Sequence, residues 1–258
     1  MGDWVLITGA SAGIGQEFAR VFAEHGHNLV LLARDADALS RLAKELETSS
    51  KIQARALPQD LAQPGAASRV FQSLRDTPIS ILVNNAGFGG YGAFADSSLV
   101  LSSEMMQVNM VALVELTHLF LPPMRERNRG RILNVASTAA FQPGPTMNIY
   151  YATKAFVYSF SYALAVELHG SGITVTTVCP GLTRSRFFTR AKIKMEHSWA
   201  MMEARTVAEA GYRGLLRGQR VVIPGWMNKA TSFLSRRAPP RLTSAIVRRI
   251  HSKAPAPQ

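Results

Sequence analysis

Short apolar runs recur along the chain, separated by longer stretches whose apolar residues return every three or four positions. "WVLIT", "NLVLLA", "IQARAL", "ISILVNNA", "GRILNVAS", "GITVTTVCP" and "QRVVIPG" read as strands. Between them, "GIGQEFARVFAEHG", "DADALSRLAKELETS", "PGAASRVFQSLRD", a long pair around 97–128, "ATKAFVYSFSYALAVELHG" and a stretch near 203–217 read as helices. Strand and helix alternate throughout. That order predicts a parallel sheet covered by helices on both faces, because strands buried on both sides are continuously apolar, as these are. The helix over 153–168 carries Phe156, Val157, Phe160, Leu164 and Val166 on more than one face, with Glu167 its only acid. Such a helix is expected to be buried on several sides, by its own chain or by a second subunit. There is no internal repeat, and no linker before about residue 226.

Composition narrows the class. At 258 residues, with 47% apolar and 18% charged positions, the chain suits one folded α/β domain and is too apolar for a disordered one. The lone cysteine, Cys179, cannot form an internal disulfide; it is expected to pack in the core and fits a reducing compartment. The first strand begins so early that no room is left for a signal or transit peptide, and no uninterrupted 18-residue apolar stretch predicts a membrane span. A cytoplasmic setting is therefore expected.

The formal net charge of +12 is unevenly placed. No acid follows Glu209, while Arg213, Arg217, Arg220, Lys229, Arg236, Arg237, Arg241, Arg248, Arg249 and Lys253 do. A basic tail suits an anionic membrane surface, an acidic ligand or a solvated end. Nucleic acid is not expected, since the tail lacks aromatic interleaving and any nucleic-acid motif.

Candidate chemistry begins at "ITGASAGIG", between the first strand and the first helix. Gly9, Gly13 and Gly15 let backbone N–H groups and the helix N-terminus approach a pyrophosphate, although the spacing matches neither common glycine fingerprint. The second strand ends at Ala33-Arg34, where an acid would bind the ribose 2'-hydroxyl of NAD. Arg34 instead offers a planar fork for a 2'-phosphate, which favours NADP over NAD, with Asp35 still able to serve a 2'-hydroxyl. "NIYYATK" then places two tyrosines ahead of Lys154, and both Tyr150 and Tyr151 fall near the lysine's helical face.

Together with "NNAG" at 84–87, Asn109 in "MMQVNMVA", Ser137 in "NVAST" and Tyr150 with Lys154 in "YYATK", the turn resembles the single-domain branch of the short-chain dehydrogenase/reductase family. "NNAGFGGYGAF" and "CPGLTRSRFF" further resemble a bacterial subgroup of general oxidoreductases in that family. The resemblance implies a Rossmann-like, doubly wound, seven-stranded parallel sheet with helices on both faces. It also implies reversible hydride transfer between NADP(H) and a carbonyl or alcohol. It selects Tyr150 as the acid, Ser137 as the hydroxyl that holds the substrate oxygen, Lys154 as the group that lowers the tyrosine pKa, and Asn109 as the holder of a relay water. The implied cofactor site comprises Gly9, Ser11, Gly13, Ile14, Gly15, Arg34, Asp60, Leu61, Asn84, Ala86, Gly87, Tyr150, Lys154, Pro180, Gly181 and Thr183. In "PGLTRS", Ser185 stands where the family's threonine is expected, so contact with the nicotinamide carboxamide falls to Thr183 or Ser185. No metal is expected.

Residues 1–225 then form the catalytic domain, with a substrate lid at about 185–205, and residues 226–258 form a basic extension set apart from the chemistry. Phe88, Tyr91, Phe141, Met147, Phe187, Phe188 and Trp199 give the substrate side an apolar character, and His197 lies near the lid. A homodimer or homotetramer is expected. The prolines at 239 and 240 break any single long amphipathic helix, which favours docking of the extension on a sister subunit over peripheral membrane contact. Two rivals stand beside the general reductase. One is a membrane-surface reductase of 3-oxoacyl groups or sphingoid ketones; the other is an NADP-binding redox sensor without turnover.

Overall fold

Strands β1 (Trp4–Thr8), β2 (Asn28–Ala33), β4 (Ile79–Asn84), β5 (Gly130–Val135) and β6 (Ile173–Val178) are almost entirely buried, as their unbroken apolar runs require. With β3 (Ala54–Pro58) and the short β9 (Val221–Val222) they form a seven-stranded sheet in the order β3-β2-β1-β4-β5-β6-β9, beside a two-stranded pairing of β7 (Thr183–Arg184) with β8 (Met202–Glu203). Every neighbouring pair is parallel. The computed structural model describes residues 3–185 and 201–252. Strand order reverses direction at β1 and β4, so the crevice beyond their carboxyl ends is where a ligand is expected in a sheet of this kind.

Helices α1 (Gly13–Glu24), α2 (Ala36–Ser50) and α7 (Ala204–Leu216) cover one face, meeting the sheet through Phe18, Phe22, Leu39, Val207 and Leu215. The other face is covered by α3 (Ala66–Ser73), α5 (Ala112–Glu126) and α6 (Asn148–Glu167), through Val70, Leu116, Phe120, Met124 and Leu164. Cys179 is fully buried beside Leu113 and Val157, as expected.

The pair of helices expected around 97–128 is one helical run, in which α4 (Leu99–Met106) passes into α5 through a π turn at Gln107–Val111. At Leu99–Glu126 the run is long and apolar enough to cross a membrane by length and composition. One face of it, carrying Leu113, Leu116, Phe120 and Met124, is buried within the fold.

Helix α6 is not buried on several sides by its own chain, the first of the two coverings expected for it. Only Thr153, Lys154, Val157 and Ser161 of it are buried, because a helix flanking the sheet meets it along one stripe. Phe156, Tyr162 and Val166 face outward.

After β9 the chain forms α8 (Trp226–Ser235) and α9 (Pro240–Ser252), interrupted at the two prolines; Pro240 takes the first helical position, where a missing N–H costs no bond. These helices do not trail away from the catalytic half. The Arg236 guanidinium lies 4.2 Å from the Phe141 ring centre and 4.9 Å from that of Tyr158, the Ser235 hydroxyl bonds the Gln142 side chain, and Thr243 and Val247 are buried. The arginine counted as tail charge thus serves partly as an anchor. The expected lid residues Phe187, Phe188, His197 and Trp199 lie outside the described residues.

Candidate active site

A continuous cavity of about 1400 Å³ opens at the carboxyl ends of the strands. It exceeds the roughly 300 to 1,000 Å³ of an ordinary small-molecule pocket. One end is the turn from β1 to α1. Gly9 has φ +68°, and a Cβ added there would stand 2.9 Å from Ala86 Cα, so the turn has space for glycine only. At Gly15 the added atom would meet the Gly9 carbonyl oxygen at 2.2 Å and Asn85 Nδ2 at 2.4 Å. Gly15 therefore seats α1 against the turn and does not line the cavity, whereas Gly9, Ser11, Gly13 and Ile14 do. Among the described residues no side chain caps the start of α1, so its first N–H groups meet no side-chain acceptor from them. That arrangement fits a dinucleotide pyrophosphate.

Farther along the same wall lie Arg34, Asp60 and Leu61. Asp35 also lines the cavity, but its carboxylate accepts from Ala38 N at 2.9 Å and caps α2. Asp60 Oδ1 likewise accepts from Ala62 N at 3.0 Å.

In the "NNAG" segment, Ala86 and Gly87 line the cavity, and Asn84 does not. Alternation along the strand turns Asn84 inward, where Nδ2 donates to Asn134 Oδ1 at 2.9 Å and Thr117 Oγ1 at 3.1 Å, tying β4 to β5 and α5. The expectation that Asn84 touches the cofactor is corrected accordingly; its part in holding the sheet stands. The residue that reaches the cavity is Asn85, whose Nδ2 donates to Thr8 O at 2.9 Å and Gly9 O at 3.3 Å.

At the middle of the cavity, Ser137 follows β5 and Tyr150 lies in the first turn of α6, and the nearby Ser137 hydroxyl favours the Tyr150 phenolate. Ser137 Oγ is placed by Ala139 N, which donates to it at 3.1 Å, and its own bond to Pro180 O is a long 3.4 Å. A hydroxyl held so loosely can turn to another acceptor. Lys154 Nζ donates to Val135 O at 2.8 Å and stands 5.8 Å from the Tyr150 ring centre.

Burial pushes the Tyr150 hydroxyl up to about 12, outweighing the Ser137 hydrogen bond that favours ionisation. Burial also pushes Lys154 down to about 8. The expectation that Lys154 lowers the tyrosine pKa is therefore not met in this structure: desolvation dominates both groups, and the ammonium's hydrogen bond goes to a backbone carbonyl.

Asn109 sits in the π turn, buried and out of the cavity lining. Its Nδ2 donates to Phe88 O and Thr153 Oγ1, both at 3.0 Å, and its Oδ1 accepts from Phe88 N at 3.0 Å. Both amide hydrogens are used, so the side chain fastens the loop after β4 to α6 and has no donor left for a relay water. The added residue of the π turn is what aims it inward, and no local sequence pattern marks such a turn.

Pro180, Gly181, Thr183 and Ser185 all line the cavity, with the Thr183 hydroxyl turned back to Gly181 O at 3.0 Å. Among the apolar residues expected on the substrate side, Phe88, Tyr91 and Met147 line it, while Phe141 packs under Arg236. Sequence reasoning missed Asn228, Thr231, Val247, Ile250 and His251, which enter the lining from α8 and α9.

A sequence profile of the short chain dehydrogenase family matches residues 3–196. The 17-beta-hydroxysteroid dehydrogenase type 3 of Mus musculus is 35% identical over 184 residues, covering 70% of this chain and 60% of that protein. The very-long-chain 3-oxoacyl-CoA reductase of Homo sapiens is 33% identical over 184 residues, covering 70% of this chain and 59% of that protein. Less than two thirds of either relative is therefore matched. Among solved structures, a short-chain dehydrogenase from Sphingobium yanoikuyae in complex with NADPH superposes with a TM-score of 0.84 at 37% identity, covering 91% of this chain and 93% of that one. A profile that takes in most of the sequence, and a backbone shared over nearly all of it, place the chain in the short-chain dehydrogenase/reductase family.

Proposed function

We propose that the protein reduces bulky, apolar ketones with NADPH. The observation that carries the reading is the Ser137–Tyr150 hydroxyl pair inside one cavity that runs from the glycine turn to an apolar far wall. Gly9, Ser11, Gly13 and Ile14 would hold the pyrophosphate, Asp60 and Leu61 the adenine, and Lys154 with the Pro180–Thr183 turn the nicotinamide half. When bound there, the nicotinamide supplies the hydride.

Tyr150 supplies the proton. With its pKa raised to about 12 it is a neutral phenol at physiological pH, so it suits donation to a carbonyl oxygen, the direction of reduction. Ser137, free to exchange its long bond to Pro180 O, donates to the same oxygen and holds it against Tyr150. As negative charge grows on the phenolic oxygen, the Lys154 ammonium one helical turn away favours it. Asn109 acts at one remove, by fixing Phe88 and Thr153.

The preference for NADPH is supported by Arg34 at the tip of β2 and by the engagement of Asp35 as a helix cap, which leaves the guanidinium as the group suited to a 2'-phosphate. The substrate class is supported by Phe88, Met147, Val247 and Ile250 in the lining, and by the steroid and very-long-chain acyl names of the two relatives. The test is oxidation of NADPH and of NADH by purified protein against ketones of graded size. Turnover confined to small polar carbonyls, or equal use of both nucleotides, would count against it.

A second reading, reduction of 3-oxoacyl thioesters at a membrane surface, is favoured by one feature. Trp226, Phe233, Leu234, Leu242 and Ile246 are exposed on α8 and α9, among arginines. Sedimentation with anionic vesicles, weakened by salt, is the expected result on that reading.

A further inference from the structure

We propose that helix α9 is the outer wall of the substrate pocket, latched by His251, so that the C-terminal segment sets the bulk of ketone the enzyme accepts. The proposal rests on the ketone-reduction reading above and adds specificity residues to it.

Val247, Ile250 and His251 line the same cavity as Ser137 and Tyr150. Thr243, Val247 and His251 recur every four residues and so share the inward face of α9. Thr243 and Val247 are buried, and Ile250, although it lines the cavity, is 60% exposed, which places it at the mouth.

His251 joins this wall to three parts of the substrate side. Its ring Nδ1 lies 2.9 Å from Pro145 O and 3.1 Å from Thr146 Oγ1, Nε2 lies 3.3 Å from Tyr151 Oη, and its backbone carbonyl accepts from Tyr91 Oη at 3.0 Å. Proton bookkeeping fixes the tautomer. Pro145 O can only accept, so Nδ1 carries a hydrogen, and in the tautomer with hydrogen on Nδ1 alone Nε2 accepts from the Tyr151 hydroxyl. The Tyr151 ring in turn lies on Gly144, where an added Cβ would be 2.2 Å from it, so the seat of the latch is formed by a residue that leaves room for it. The second tyrosine of "NIYYATK" thus holds the pocket wall, while the first faces the reacting oxygen. Because every bond of the latch joins α9 to the loops at 91 and 145–146 or to Tyr151 in the first turn of α6, loosening it would free the wall and leave the β1–α1 turn untouched.

Ile250→Trp and Ile250→Ala, at an exposed position that needs no core space, are compared with the wild-type full chain on small and bulky ketones, with NADPH affinity measured by its fluorescence. The expected result is a fall of tenfold or more in the bulky-to-small ratio of kcat/KM for Ile250→Trp and a rise for Ile250→Ala. An unchanged ratio in both variants overturns the wall. Hydrogen–deuterium exchange of His251→Ala tests the latch without turnover: residues 240–252 and 144–151 are expected to exchange at least tenfold faster, and unchanged exchange overturns it. A wild-type protein that binds NADPH and reduces no ketone overturns the ketone reading and the wall with it, while the latch stands or falls on the exchange data alone.

Discussion

Two adjacent tyrosines at the start of α6 share a raised pKa of about 12 and the same dominant cause, burial, yet they face different neighbours. Only Tyr150 feels the Ser137 hydroxyl, whereas Tyr151 meets His251. Tyr150→Phe is therefore expected to remove turnover while NADPH still binds, and Tyr151→Phe to lose less than tenfold on a small ketone; steady-state kinetics with the reverse ranking would sink the assignment. Arg34 allows a similar separation. Arg34→Ala should weaken NADPH by roughly 1.5 to 3 kcal/mol, the scale of a hydrogen bond to a charged group, with NADH nearly unaffected in the same titration. Equal losses would show that the guanidinium does not meet the 2'-phosphate. Lys154 offers a test by pH. Its folded pKa, about 8, lies below the ordinary lysine value, so between these two values the unfolded chain holds a proton that the folded one has released. Stability must then rise with pH through that window. Wild-type protein without added nucleotide, compared with Lys154→Met by denaturant unfolding, should gain on the variant from pH 8 to 10.5 by on the order of 3 kcal/mol at most. A flat difference would mean that the ammonium is not desolvated.

Elements differ in how far the chain announces them, and the reason lies in the range of the interactions that fix them. The strands are legible because burial on both faces requires unbroken apolar runs, which "NLVLLA" and "ISILVN" satisfy locally. The π turn at 107–111 is not, since one extra residue in a helix changes no periodicity a reader can see. Asn84 and Asn85 show the same limit at finer grain: "NNAG" marks the segment, but which amide faces the cavity follows from the pleat and from partners on β5 and α5. The docking of α9 is the least legible, for its contacts join positions 100 and 160 residues apart. Conversely, the turn from β1 to α1 was legible as a glycine pattern, and the structure assigns each glycine a separate task. Gly15→Ala would drive a Cβ into the Gly9 carbonyl and Asn85, so the joint of α1, the turn and β4 must spread. Overpacking costs about 1 to 3 kcal/mol where side chains can yield, and backbone yields less, so a loss of at least about 3 kcal/mol in denaturant unfolding is expected. Gly26→Ala is the control: its φ of +76° adds a conformational strain that the helical Gly15 lacks, but nothing lies within 4 Å, so its loss is expected to be the smaller.

Across the whole molecule, one flank remains apolar after the fold is complete. Leu99 and Val100 of α4 are 78% and 69% exposed, Val111 closes the π turn, and Phe156, Tyr162 and Val166 project from α6, which lies against both. The Phe156 and Phe160 rings stack at 5.9 Å, presenting a flat apolar surface. Scattered exposed apolar residues need no explanation, but a contiguous set across neighbouring helices marks an interaction face. The homo-oligomer expected from the sequence would cover this face, and because the same helix carries Tyr150 and Lys154 on its buried side, a symmetric contact there would brace both active sites at once. Light scattering of the purified protein is expected to give a multiple of the 28.1-kDa chain, and Phe156→Asp with Val166→Asp to return it to one chain, with NADPH binding weakened through a loosened α6. The tail has its own contacts on α6 and the loops, so removing α9 should leave that mass unchanged while altering substrate choice. A wild-type protein that scatters as a single chain would exclude this face as a subunit contact, and a mass that falls only when α9 is removed would move the interface to the C-terminal helices, as the sequence alone had favoured.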